Sequence, residues 1–200
     1  MPSTYDLKPR FQALLRPLVA YLARSGVRAN QVTVFAMLLS AFSGLCVLIW
    51  PEQAWPLLLI PFVLFVRMAL NAMDGMLARE FGMKSRLGAV LNELGDVLSD
   101  VVLYLPFALL VDVSAMAVVI VVVLSVVSEM AGVVAIQVGA ERRYDGPMGK
   151  SDRALVFGLL GLVLGCGVST GLWLNILLWV VAALTVLTVV NRCRYALETG

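Results

Sequence analysis

Residues 54–100 read AWPLLLIPFVLFVRMALNAMDGMLAREFGMKSRLGAVLNELGDVLSD. Up to Leu70 the run is apolar apart from Arg67, and beyond it polar residues recur at intervals of three and four. On a helix the steps Asn71, Asp74, Ala78 lie on one face, and so do Asn92, Asp96, Asp100. Two antiparallel helices would turn these polar stripes toward each other. Gly75 and Ala78 keep the first stripe thin, as expected where a phosphate or a planar group must approach the backbone. Asp74 and Asp96, with their neighbours, offer oxygen ligands to a hard divalent cation, with phosphate oxygens and water completing its shell.

The composition around this stretch belongs to a membrane. Of 200 residues 61% are hydrophobic and only 14% charged, with a mean hydropathy of +0.95. A soluble domain is nearer half apolar and a quarter charged. Windows of about 20 apolar residues, the length needed to cross a core roughly 30 Å thick, fit end to end. The expected spans are Asn30–Trp50, Ala54–Phe81, Leu87–Val111, Val113–Ala140, Arg153–Val168 and Leu172–Asn191. The chain is thus an all-α integral membrane protein with six transmembrane helices. It contains no histidine, which excludes histidine-assisted nucleophiles and His-rich zinc sites and leaves acid–base and metal chemistry to carboxylates. Cys46, Cys166 and Cys193 are scattered and odd in number, so they are read as small apolar fillers rather than disulfides or metal ligands. A net charge of +2 gives no indication of nucleic acid as a partner. The first 28 residues, interrupted by charges and prolines, are not expected to form a cleavable signal peptide.

The basic residues set the orientation. Lys8, Arg10, Arg16, Arg24 and Arg28 precede the first span, and Arg79, Lys84 and Arg86 follow the second. Arg142, Arg143, Lys150 and Arg153 lie between the fourth and fifth, and Arg192 and Arg194 end the sixth as topology anchors. The opposite loops hold only Glu52 and Asp112. The positive-inside rule therefore makes both termini and the polar stripes cytoplasmic. From Tyr5 to about Tyr21, Leu7, Phe11, Leu14, Leu15, Leu18 and Leu22 recur at helical spacing among Lys8, Arg10 and Arg16. That predicts an amphipathic helix on the inner leaflet, with Pro9 and Pro17 breaking or kinking it. The expected organisation is a juxtamembrane segment over 1–28, a membrane domain over 29–194 and a cytoplasmic tail over 195–200.

Within this frame the sequence resembles the CDP-alcohol phosphatidyltransferases, whose signature is D-x2-D-G-x2-A-R-x8-G-x3-D-x3-D. Every spacing is reproduced, including the eight residues between Arg79 and Gly88. Ala29-Asn30-Gln31-Val32-Thr33 resembles the family's P-N-x-[ILV]-T segment opening the first span, and Gly149–Arg153 resembles its G-K-x-K-T segment before the fifth. The resemblance covers essentially the whole chain. It points to a bacterial branch distinct from the phosphatidylglycerophosphate and phosphatidylserine synthases, and so to a bacterial inner membrane location. It implies transfer of a phosphatidyl group from CDP-diacylglycerol, or another CDP-alcohol, to a small polyol or polyol phosphate, with release of CMP. Asp96 is the expected base, and Asp74, Asp96, Asn71 and Asn92 the expected ligands of one or two Mg2+ or Mn2+ ions. Asp74, Gly75, Ala78, Arg79, Asn30, Thr33, Ser85 and Gly88 are expected to hold the nucleotide. Lys150, Arg153, Arg142 and Arg143 are expected to bind a phosphate on the acceptor. Lipid tails would enter between helices, and a homodimer is the expected assembly.

The chain departs from the signature at two acidic positions, where Asn71 and Asn92 stand. Asparagine keeps a carbonyl oxygen but removes one negative charge at each position. Either one metal is retained, or a second binds weakly, or catalysis is lost; the last case is a regulator or assembly partner that binds CDP-lipid or metal. Counted at 1.5 Å per residue, Arg67, Asp100 and Glu129 lie at similar depth, roughly 20 Å in. Charges in a membrane pair with one another, so Arg67 is expected to be held by Asp100 or Glu129. A transporter built on these charges would show inverted repeats and helices broken at mid-membrane, and neither is evident.

Overall fold

The structure, a computed structural model, describes residues 4–199, with side chains from Pro9 onward. Residues 1–3, the side chains of Leu7 and Lys8 in the amphipathic pattern, and Gly200 lie outside the described residues. The chain runs through α1 (Thr4–Arg24), α2 (Ala29–Ile49), α3 (Ala54–Glu80), α4 (Arg86–Tyr104), α5 (Ala115–Val134), α6 (Lys150–Gly165) and α7 (Leu172–Thr199). Single 3-10 turns, Leu105–Leu109 and Ala135–Val138, extend α4 and α5. Among the described residues there is no strand.

Local chemistry sets the helix ends. Ser85 caps α4, its Oγ accepting from the Gly88 N–H at 2.9 Å. Pro106, lacking an N–H to donate, stands where α4 gives way to the 3-10 turn. Ser114 caps α5, its Oγ accepting from the Ala117 N–H at 3.3 Å. Helices α2, α3 and α7, and α5 with its 3-10 extension, are each long and apolar enough to cross a membrane. The other two expected spans fall short of that measure for plain reasons: α4 carries the second polar stripe, and α6 has 16 residues. Helix α1 runs unbroken through Pro9 and Pro17, where the sequence predicts a break or a kink. A proline costs the carbonyl one turn earlier its partner, and on an exposed helix water satisfies that group.

Two compact units divide the chain, one comprising residues up to Ser40 with Val63–Ser99, the other Ala41–Phe62 with residues from Asp100 on. In the first, Val19 of α1, Val32 and Ala36 of α2, and Leu70, Met73 and Leu77 of α3 form one core. Arg16 reaches Glu80 from α1 to the end of α3, Nη2 to Oε1, at 3.0 Å.

In the second, small residues let backbones approach, the usual device where lipid removes the hydrophobic drive between helices. A side chain at Gly44 would collide with the Val102 carbonyl oxygen, so α2 and α4 touch backbone to backbone there. Tyr104 stacks on Phe157 with ring centroids 4.0 Å apart, and Phe107 meets the same ring edge-on at 5.2 Å. Asn175 of α7 ties down the turn before α5, accepting from the Ser114 N–H at 2.7 Å and donating to the Asp112 carbonyl at 3.0 Å. Phe35, Phe42, Phe62 and Phe65 are exposed, as suits helices whose outer faces meet lipid.

Candidate active site

In the first unit the two polar stripes meet. Asn71 Nδ2 donates to Asp96 Oδ1 at 3.0 Å. One turn before Asn71, Arg67 donates from Nη2 to the Asp96 backbone carbonyl at 2.9 Å and approaches Asp96 Oδ1 at 3.4 Å. The Arg67 side chain is 4% exposed and that of Asp96 24%, so a buried guanidinium backs a carboxylate that solvent or a ligand can still reach. Asp74, three residues after Asn71 on α3, is buried, its Oδ2 accepting from Thr33 Oγ1 at 2.7 Å. Thr33 also donates to the Ala29 carbonyl at 3.2 Å, the back-bond a threonine makes one turn along a helix. The start of α2 thereby orients a carboxylate of α3.

Asn92, half-buried, stands one turn before Asp96 on α4. Asn30 and Ser85 are in mutual hydrogen-bond range, Asn30 Nδ2 to Ser85 Oγ at 3.3 Å. Gly88 closes this corner, because a Cβ there would lie 2.6 Å from Asn30 Oδ1. Beside it opens a pocket of about 490 Å3 lined by Gly26, Arg28, Ala29, Asn30, Met83, Lys84 and Ser85. On α3 the Arg79 guanidinium folds back over Gly75, where a Cβ would lie 2.9 Å from Nη2. Ala78 is half-buried and Arg79 exposed.

The second unit holds a buried charge cluster. Glu129 Oε1 accepts from Arg153 Nη2 at 2.9 Å and from Arg192 Nη1 at 3.3 Å, and Oε2 accepts from Arg142 Nη2 at 3.4 Å. Asp100 Oδ2 lies 3.7 Å from Arg153 Nη2. Arg153 also donates from Nη1 to Ser128 Oγ and the Met148 carbonyl, both at 3.0 Å. Arg143 pairs with Asp145 at 2.8 and 3.1 Å, and Lys150 is half-buried at the first turn of α6. The structure pairs Arg67 with Asp96, and Arg153 with both Asp100 and Glu129.

Arg192 is a correction. Expected as a topology anchor, it is 2% exposed and donates to the carbonyls of Ser128 and Asp145 besides Glu129. Val181, Thr185, Thr188 and Arg192 are all buried in α7 at spacings of three and four. That stripe was the signal that could have shown which way Arg192 faces.

The oxygen donors of the first unit, the carboxylates of Asp74 and Asp96 and the amide oxygen of Asn92, suit Mg2+ or Mn2+, while Asn71 presents its amide nitrogen to Asp96. Among the described residues no three His, Cys, Asp or Glu side chains form a metal cage. Oxygens of a bound pyrophosphate would therefore have to complete a cation's shell.

Helices, signature spacing and paired stripes together define a class of membrane transferase. The sequence profile of the CDP-alcohol phosphatidyltransferases matches residues 27–190, and the chain belongs to this family. It is 47% identical over 194 residues to the inner membrane protein YnbA of Escherichia coli (strain K12), covering 96% of each chain. It is 33% identical over 108 residues to an uncharacterized protein of Aquifex aeolicus (strain VF5), covering 54% of this chain and 50% of that one. The fold is that of the Mycobacterium tuberculosis phosphatidylinositol phosphate synthase, solved with CDP-DAG bound. The TM-score is 0.76 at 24% identity, over 92% of this chain and 93% of that one. The same enzyme in complex with manganese and citrate matches with a TM-score of 0.76 at 24% identity, over 92% and 88%.

Proposed function

We propose that the protein transfers the phosphatidyl group of CDP-diacylglycerol to a hydroxyl acceptor and releases CMP, as a step of phospholipid synthesis. The reaction takes place at the cytoplasmic face of a bacterial inner membrane. The observation that carries this reading is the pairing of the two halves of the signature, Asn71 to Asp96 at 3.0 Å, with Thr33 orienting Asp74 at 2.7 Å. Family membership supports the transferase class. The YnbA relative supports the location, and the CDP-DAG-bound neighbour supports the donor. The four helices long and apolar enough to cross a membrane support a multi-pass protein, and the distribution of basic residues supports six spans with both termini inside.

In the reaction the acceptor oxygen bonds to the phosphorus that carries the diacylglycerol. The bond from that phosphorus to the CMP oxygen breaks, and CMP leaves with the electron pair. Asp96 takes the acceptor's proton on its carboxylate, with Arg67 and Asn71 fixing where that carboxylate points. Asp74 and Asp96, with the carbonyl oxygen of Asn92, would hold a divalent cation, which would supply charge neutralisation at the pyrophosphate, while Asn71 turns its amide nitrogen to the Asp96 carboxylate. Arg79, free to bend over Gly75, contacts nucleotide or phosphate. Asn30, Ser85 and Gly88 border the pocket that takes the rest of the nucleotide. Lys150, Arg142, Arg143 and Arg153 supply the positive field for a phosphorylated acceptor, and the protein works as a homodimer.

A second reading is motivated by one observation: amide and guanidinium nitrogens face Asp96 Oδ1 where the family carries a further aspartate. In that reading the protein binds CDP-lipid without turning it over and acts as a regulator or assembly partner. CMP release decides between the two. The purified protein with CDP-diacylglycerol, Mg2+ or Mn2+, and pooled polyols and polyol phosphates should release CMP, and Asp96→Asn should not. Absence of release with CDP-lipid binding intact would overturn the transferase reading.

A further inference from the structure

Resting on the reading of the signature as the cation and nucleotide site, we propose that the buried Arg67 guanidinium is a built-in cation on Asp96. The motif accordingly takes one divalent ion rather than two.

The geometry around Asp96 Oδ1 is decisive. Arg67 Nη2 lies 3.4 Å from it and Asn71 Nδ2 3.0 Å. Reversing the Asn71 amide would set two oxygens against each other at that 3.0 Å separation, so the nitrogen must face Asp96. Its carbonyl oxygen then points away, and Asn71 and Asp96 cannot bridge an ion between them. A cation at Oδ1 would also meet the positive ends of both N–H donors.

Charge agrees with geometry. Asp74 and Asp96 bring two negative charges to the four signature positions, Asn71 and Asn92 none, and Arg67 returns one positive charge. The protein thus offers one net negative charge here, less than a single divalent ion carries, so a second ion would have to be held by the substrate's phosphates rather than by these side chains. Arg67 is 3% exposed and is anchored by the Asp96 carbonyl at 2.9 Å as well as by the carboxylate. A buried arginine is costly unless a carboxylate compensates it, and such pairs hold their geometry. This guanidinium therefore stays in place through binding and release of substrate, unlike an exchangeable ion.

The test is a count of bound Mn2+ by electron paramagnetic resonance on the full-length protein in detergent, with and without CDP-diacylglycerol. The expected result is one ion per chain, and two or none would overturn the proposal. Asn71→Asp with Asn92→Asp restores the family's carboxylates but keeps Arg67, so the count should stay at one; a rise to two would overturn it. Adding Arg67→Gln to that pair should raise the count to two, and a folded triple variant still binding one ion would also overturn it. Should the triple variant not fold, the wild type and the Asn71, Asn92 pair decide alone. The count is independent of turnover: one ion without CMP release defeats the transferase reading and leaves Arg67 as assigned, while two ions with release does the reverse.

Discussion

Glu129 and Arg153 form a buried ion pair between α5 and α6, Oε1 to Nη2 at 2.9 Å, and the same carboxylate also receives Arg192 and Arg142. Removing Glu129 takes a carboxylate partner from two buried guanidiniums, Arg153 and Arg192, at once. Loss of one partner of a buried pair costs about 3–5 kcal/mol. Glu129→Ala should therefore lower stability by about that amount in denaturant unfolding of the solubilised protein, and Glu129→Gln by less, since its amide oxygen still accepts. Stability unchanged in Glu129→Ala would mean that the cluster does not hold the helices together.

Thr33 tests whether Asp74 needs orienting. Its hydroxyl donates to Oδ2 at 2.7 Å from a neighbouring helix, and groups that orient a ligand cost about 10–100-fold in metal affinity or activity when lost. Thr33→Val keeps the shape and removes the donor. Mn2+ affinity should fall within that range, Thr33→Ser should recover most of it, and the unfolding midpoint should move little. An equal loss in the serine variant would argue against the hydrogen bond.

At Gly75 stability and function should part. Alanine is favoured over glycine within a helix by about 1 kcal/mol, yet a Cβ at this position would lie 2.9 Å from Arg79 Nη2. Gly75→Ala should leave stability equal or higher while CMP release drops, because Arg79 is pushed out of its path. Release at the wild-type rate would show that the bent guanidinium is not the one that contacts substrate.

What the sequence discloses follows the range of the forces involved. The apolar runs of α2, α3, α5 and α7 are long enough to be read without knowing their neighbours. Asn71, Asp74, Asn92 and Asp96 are legible because helical periodicity puts each set on one face. Which end of the Asn71 amide faces Asp96 is not, since that depends on the partner across the gap. Arg192 was hidden for the same reason: a basic residue near the end of an apolar helix resembles an interfacial anchor, and its partner Glu129 is 63 residues away. No break forms at the prolines of α1, because Pro9 and Pro17 both stand on its exposed face, where water can take up the lost bonds.

The tie between α1 and the end of α3 gives a last prediction. Arg16 meets Glu80 at 3.0 and 3.2 Å, and both side chains are exposed. The Glu80 hydrogen bond, then its charge, raise the pKa of Arg16 above its already high ordinary value. A raised basic pKa stabilises below the unfolded-state value and is lost only as pH climbs through the folded one, so this contribution is complete at neutral pH and disappears only in strong alkali. Ionic strength is the sensitive variable, because exposed charges are screened within about 10 Å at 0.1 M salt. Hydrogen exchange in α1 should speed up with salt but not between pH 6 and 9, about the range around neutrality in which arginine stays charged. Arg16→Glu should speed it at low salt, and adding Glu80→Arg should restore protection. If the swapped pair stayed as unprotected as the single variant, α1 would be held by the apolar contacts of Leu15, Val19 and Leu22 rather than by this ion pair.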